Sequence, residues 1–87
     1  MKLVRISSMW CTSCIITYPI WKEIQETYPN LEYEELDYDL DDVKEQVGDI
    51  LPVIILKKDN QELTRIIGEK TKKEMIEILE EYLWRKF

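Results

Sequence analysis

Apolar residues recur along this chain in two rhythms, one suited to strands and one to helices. Leu3, Val4 and Ile6 cluster between Lys2 and Ser7, a stretch short and apolar enough to be a strand. Ile15, Ile16, Ile20, Trp21, Ile24 and Tyr28 then recur near helical spacing, which predicts a helix from Thr12 to about Tyr28, stopped by Pro29 and Asn30. Pro19 falls inside it and, having no backbone N–H, should bend the axis. Tyr33, Leu36 and Tyr38 punctuate the acidic stretch Leu31 to Tyr38, which reads as a second strand, moderately polar on both faces. Asp39 or Asp41 is placed to cap a short helix ending at Gly48. Val53 to Leu56 and Leu63 to Ile67 are two further strand-like runs. Between them Asp59 and Asn60 suit the turn of an antiparallel hairpin. Finally, Thr71-x-x-Glu74 spells a capping box ahead of Met75, Ile76, Leu79, Tyr82 and Leu83, the apolar face of a last helix. The predicted order is β-α-β-α-β-β-α.

Composition narrows the class of protein. The 87 residues allow one compact domain, 1–87, near the small end of what a core supports unaided. A content of 45% hydrophobic and 34% charged residues suits a soluble globular chain rather than a disordered one. The opening MKLVRISS is too short, and too interrupted by Arg5, for a signal-peptide core. No apolar run approaches the roughly 20 residues that span a bilayer, so the expectation is a cytoplasmic protein without a membrane partner. A net charge of −6 with no histidine argues against nucleic acid, whose phosphates call for concentrated Lys and Arg. The acidic run Glu32, Glu34, Glu35, Asp37, Asp39, Asp41 and Asp42 reads as a solvated face, with docking of basic partners as the alternative. Trp21, Trp84, Tyr18 and Tyr28 are read as packing residues.

The candidate chemistry lies in Trp10-Cys11-Thr12-Ser13-Cys14, which holds both cysteines of the chain at the amino end of the first predicted helix. Cysteines at this spacing serve redox exchange, metal binding or simple packing. As a structural staple the pair would be poor, because so small a loop restricts little of the unfolded chain. Met9-x-Cys11-x-x-Cys14 also spells a soft-metal pattern suited to Cu(I). A structural zinc site needs four ligands, and a chain without histidine offers two thiols.

The element order, with Cys-x-x-Cys between the first strand and first helix, resembles the thioredoxin family in its smallest, glutaredoxin-sized form. Trp10-Cys11-Thr12-Ser13-Cys14 looks like the family's Trp-Cys-x-x-Cys, and Pro19 stands where thioredoxins carry a helix-kinking proline. Ile50-Leu51-Pro52 looks like the cis-proline loop, and Gly68 matches a glycine that borders the peptide groove. The resemblance implies an α/β fold, the minimal thioredoxin fold, with a mixed four-stranded sheet and helices on both faces. It implies a thiol-disulfide oxidoreductase in which Cys11 attacks and Cys14 resolves the mixed disulfide. Trp10 would wall the site, and Leu51, beside a cis Pro52, would offer its backbone to an extended substrate. No metal and no cofactor beyond the dithiol are implied. Disulfide-containing proteins would be the substrates, a thioredoxin reductase or a small thiol would donate electrons, and the protein would be a monomer.

Departures from the pattern carry their own expectations. Thr12-Ser13 replaces the usual Gly-Pro between the cysteines, and Arg5 stands where thioredoxins bury an aspartate behind the resolving cysteine. Glu35 takes the place of that aspartate's lysine neighbour, so Arg5 and Glu35 form a candidate charge-swapped pair in which Arg5 would stabilise a Cys14 thiolate and Glu35 would be the nearby base. The plainer reading has Arg5 snorkelling to water. Glutaredoxins resemble Cys-Pro-Tyr-Cys and Thr-Val-Pro, which this chain lacks. Copper carriers have β-α-β-β-α-β order, and a non-catalytic thioredoxin-like adaptor would tolerate loss of a cysteine.

Overall fold

The computed structural model describes residues 1–39, 47–48 and 50–83. Its elements are β1 (Lys2–Ser7), α1 (Thr12–Ile16), α2 (Tyr18–Thr27), β2 (Glu32–Asp37), β3 (Val53–Lys58), β4 (Gln61–Ile67) and α3 (Lys72–Leu83). The strands form one mixed sheet in the order β2-β1-β3-β4. β1 runs parallel to β2 and antiparallel to β3, and β3 pairs antiparallel with β4. The short helix expected before Gly48 falls on residues 40–46, outside those described, as does Trp84.

The central strands are buried on both faces, which is why β3 opens on an unbroken apolar run and β1 is apolar but for Arg5 between its ends. Leu3 of β1 and Ile54 and Leu56 of β3 pack with Trp21 and Ile24 of α2 and Met75 and Leu79 of α3. Val4 and Ile6, with Val53 and Ile55, fill the opposite face, where Cys11, Cys14, Val47 and Leu51 join them. All the helices of the first group lie on one face. On the other, Val47 and Leu51 are what the described part of the intervening segment contributes.

The predicted single helix from Thr12 is instead two helices that meet at Thr17. Pro19 occupies the first turn of α2, where its missing N–H costs nothing because the first turn has no intrahelical acceptor for it. Thr17 bridges the break. Its hydroxyl and amide both donate to the Ser13 carbonyl, at 2.6 and 3.0 Å, and its carbonyl accepts the Trp21 amide at 3.1 Å. The hairpin strands run longer than their apolar cores, to Lys58 and back to Gln61. Asp59 and Asn60 both adopt positive φ, 53° and 67°, and turn the chain in two residues. The capping box forms as predicted: the Glu74 amide donates to Thr71 Oγ1 at 3.1 Å and the Thr71 amide to Glu74 Oε1 at 3.2 Å.

Two phenols tie the end of α2 to its surroundings. Tyr28 donates to Glu80 Oε1 at 3.2 Å, and Tyr33 donates to the Tyr28 carbonyl at 2.5 Å. Burial, reinforced by the bond to Glu80, pushes the Tyr28 phenol up to about 12, and burial likewise raises Tyr33. The unfolded chain therefore loses these protons first, near the ordinary value of about 10. Stability is full below that pH and should fall as pH rises from there towards about 12. Thermal melts across this window, paired with tyrosinate absorbance, check it; a flat melting temperature would remove the assignment.

Candidate active site

β1 ends at Ser7, and the chain turns through Ser8, Met9 and Trp10 into α1. The turn is closed by the Cys11 amide donating to the Ser8 carbonyl at 3.3 Å and the Trp10 amide donating to the buried Ser8 Oγ at 3.1 Å. Cys11 is the N-cap of α1, with φ −90° and ψ 108°, and its Sγ accepts the Cys14 amide at 3.1 Å. A helix N-terminus offers amide protons with no carbonyl partner, and here one is aimed at sulfur. That bond strengthens when the acceptor is charged, so the same geometry favours a Cys11 thiolate once the pair is reduced. In the structure Cys11 and Cys14 are joined as a disulfide, their Cα atoms 5.2 Å apart. Both residues are buried, Cys14 the deeper.

The loop before β3 supplies the second wall. The Leu51-Pro52 peptide is cis, as expected, and Leu51 packs in the same cluster as both cysteines. The Gly68 amide donates to the Pro52 carbonyl at 2.9 Å, which fastens the end of β4 to this loop. Gly68 has φ +85°, a conformation that glycine adopts freely and other residues resist. An added Cβ would lie 3.5 Å from Ile50 Cγ2, an ordinary contact, so backbone conformation rather than crowding selects glycine here. Trp10, on the turn that leads into Cys11, is 60% exposed. Its Nε1–H donates to Asp39 Oδ2 at 2.7 Å, and its ring meets Tyr38 edge-on at 5.9 Å.

Arg5 does not snorkel. It is 4% exposed, and Nη2 donates to the Cys14 carbonyl at 2.6 Å while the guanidinium carbon lies 5.5 Å from the Tyr18 ring centroid. Burial pushes its pKa down, and Glu35 and Tyr18 act in the opposite sense. An arginine starts high enough to stay protonated at neutral pH. Arg5 and Glu35 are register partners across β1 and β2, as the swapped-pair reading requires, but they do not close to salt-bridge distance and Glu35 is exposed. Between them opens a cavity of about 430 Å³ whose lining includes Arg5, Cys14, Tyr18, Glu35 and Asp37.

The structure thus brings Trp10, Cys11, Cys14 and Arg5 to one end of the sheet, and binds Gly68 to the Leu51-Pro52 loop that packs on the cysteines. Sequence reasoning gave no substrate-contact role to Ile50, Ile67 or Asp39, and read Met9 only as part of a soft-metal pattern. Met9, Ile50 and Ile67 are large apolar side chains left exposed beside Trp10, Leu51 and Gly68 respectively, and Asp39 orients Trp10. The available signal was adjacency: each apolar residue directly precedes a site residue in a loop or at a strand end.

A dithiol at a helix N-terminus facing a cis-proline loop, on a β2-β1-β3-β4 sheet, defines a redox-pair protein of thioredoxin-like architecture. A thioredoxin family model matches residues 1–81, and the chain belongs to the thioredoxin family. It is 30% identical over 78 residues to a thioredoxin of Listeria monocytogenes, covering 85% of this chain and 75% of that protein. Among solved structures, a chain in a complex of ferredoxin:thioredoxin reductase and thioredoxin f2 superposes with a TM-score of 0.82 at 23% identity, covering 93% of this chain and 76% of that one. A chain in a structure on thiol resolution in yeast mitochondrial 1-Cys peroxiredoxin, via glutathione and thioredoxin systems, gives a TM-score of 0.81 at 21% identity, with coverages of 92% and 76%. Family membership and the Cys11–Cys14 pair at disulfide distance support a thiol-disulfide oxidoreductase.

Proposed function

We propose that this protein reduces protein disulfides by dithiol exchange, with Cys11 as nucleophile and Cys14 as resolving thiol. The observation that carries the reading is the Cys14 amide aimed at Cys11 Sγ from the N-terminus of α1. The Cys11 thiolate attacks one sulfur of the substrate disulfide, forming a mixed disulfide and expelling a substrate thiolate. Cys14 then attacks Cys11, closing the Cys11–Cys14 bond and releasing the second substrate thiolate. Two electrons pass to the substrate, and the protein is left oxidised.

A protein substrate rather than a small one is supported by the exposed apolar side chains of Met9, Trp10, Ile50 and Ile67. An extended segment would run along the Leu51-Pro52 loop, with Gly68 leaving its border low. Electrons come from a thioredoxin reductase or a small thiol, in a reducing compartment such as the cytoplasm, with no cofactor beyond the dithiol. The reductase and peroxiredoxin named with the solved relatives are partners of that general kind. An insulin-type disulfide reduction assay, run with a thioredoxin reductase and separately with glutathione, should show turnover with the reductase. No turnover with either, together with tight Cu(I) binding, would favour the soft-metal carrier instead.

A further inference from the structure

The cavity behind Cys14 contains a group that dithiol exchange as described leaves unused. A buried arginine on the central strand of a small core is costly, and this one is spent on a backbone carbonyl of the resolving cysteine. We propose that Arg5 is a positioning residue for the resolving step, holding the Cys14 carbonyl while its charge favours the Cys14 thiolate that attacks Cys11. The inference rests on the dithiol-exchange reading and deepens it.

Geometry supplies the argument. Nη2 grips the Cys14 carbonyl oxygen, four bonds from Sγ, and Arg5 and Cys14 line the same cavity. An opposite charge within about 4 to 6 Å favours an ionised group by roughly 1 to 3 pH units. The opposing influence is burial, since Cys14 is 3% exposed and packs with Val4, Val47, Leu51 and Val53, which would hold an isolated thiol protonated.

The remaining groups facing Cys14 across the cavity are Tyr18 from α2 and Glu35 and Asp37 from β2. Both carboxylates disfavour a second negative charge nearby, so Arg5 is the group on that wall that acts for the thiolate. They also give the departing Cys14 proton an acceptor at the mouth of an open cavity. The Tyr18 ring holds the guanidinium from the other side, 5.5 Å from its carbon, and fixes its position against β1. In the resolving step the Cys14 thiolate forms the bond to Cys11 Sγ, the Cys11–substrate bond breaks, and the substrate thiolate leaves and takes up a proton from water.

A chromogenic aromatic disulfide separates the two steps, because attack by Cys11 releases one coloured thiolate and resolution by Cys14 releases the second. In Arg5→Gln, which keeps a neutral amide donor, the rate of the second release relative to the first should fall about tenfold at neutral pH, with its pH midpoint raised by about one unit. Arg5→Lys, which keeps the charge, should recover most of that loss. A second release with unchanged relative rate and midpoint in Arg5→Gln, or Arg5→Lys as slow as Arg5→Gln, would overturn the inference alone. A missing first release in the unmodified protein overturns dithiol exchange and this inference with it. A second readout needs no kinetics: the carbon-13 Cβ titration midpoint of reduced Cys14 should rise in Arg5→Gln relative to the unmodified protein, and an unchanged midpoint refutes the role.

Discussion

Cys11→Ser is expected to reduce disulfides no faster than the uncatalysed background, while Cys14→Ser stalls after one covalent step. The asymmetry follows from the α1 N-terminus. Cys11 caps the helix and its sulfur receives the Cys14 amide, whereas Cys14 lies one turn inside, 3% exposed and backed by Arg5. A serine hydroxyl forms no disulfide, and a buried Cys14 alone cannot meet the bond of a folded substrate. Cys14→Ser keeps the attacking thiolate and loses the group that releases it, so mixed disulfide should accumulate as a stable adduct, visible by mass and cleaved by added small thiol. Equal turnover in the two variants, or an adduct trapped by Cys11→Ser instead, would reverse the assigned roles.

Trp21→Ala should be the most damaging single truncation in the core. Trp21 is 1% exposed at the centre of the layer where α2 and α3 meet Leu3, Ile54 and Leu56, and its ring meets Tyr33 edge-on at 5.5 Å. Replacing a buried tryptophan with alanine costs about 3 to 5 kcal/mol, through lost burial and the cavity left behind. For a domain of this size the melting temperature should drop by roughly 15 °C or more. Trp21→Phe should cost far less, because Trp21 Nε1 has no hydrogen-bond acceptor among the described residues and its removal relieves a buried donor. Melts or denaturant titrations of both variants test the pair. A Trp21→Ala cost below about 1 kcal/mol would show that this layer repacks without it.

Most of the fold was legible because short-range rules governed it. Leu3, Val4 and Ile6 announced a strand, and Thr71 with Glu74 announced a helix start that forms as predicted. Where the reading erred, packing or turn geometry had overridden a propensity. The hairpin strands reach Lys58 and Gln61 because Asp59 and Asn60 accept positive φ and turn in two residues, so the polar flanks are carried into the ladder. The helix from Thr12 divides at Thr17 because Pro19 suits a first turn better than an interior one.

Sequence by itself determined the dithiol, its place between β1 and α1, and the succession of β1 to β4 and α3. Each depends on residue type and on spacing within a few positions. Only the tertiary structure decided what Arg5 does. A lone arginine in an apolar strand either reaches for water or finds an acceptor inside, and the strand's own residues do not distinguish the two. The choice was made by α1 and α2 crossing the end of β1, which placed the Cys14 carbonyl and the Tyr18 ring within reach of the guanidinium. The same holds for Trp10, whose indole is oriented by Asp39 from the turn just after β2, a partner that proximity in space supplies and proximity in sequence does not.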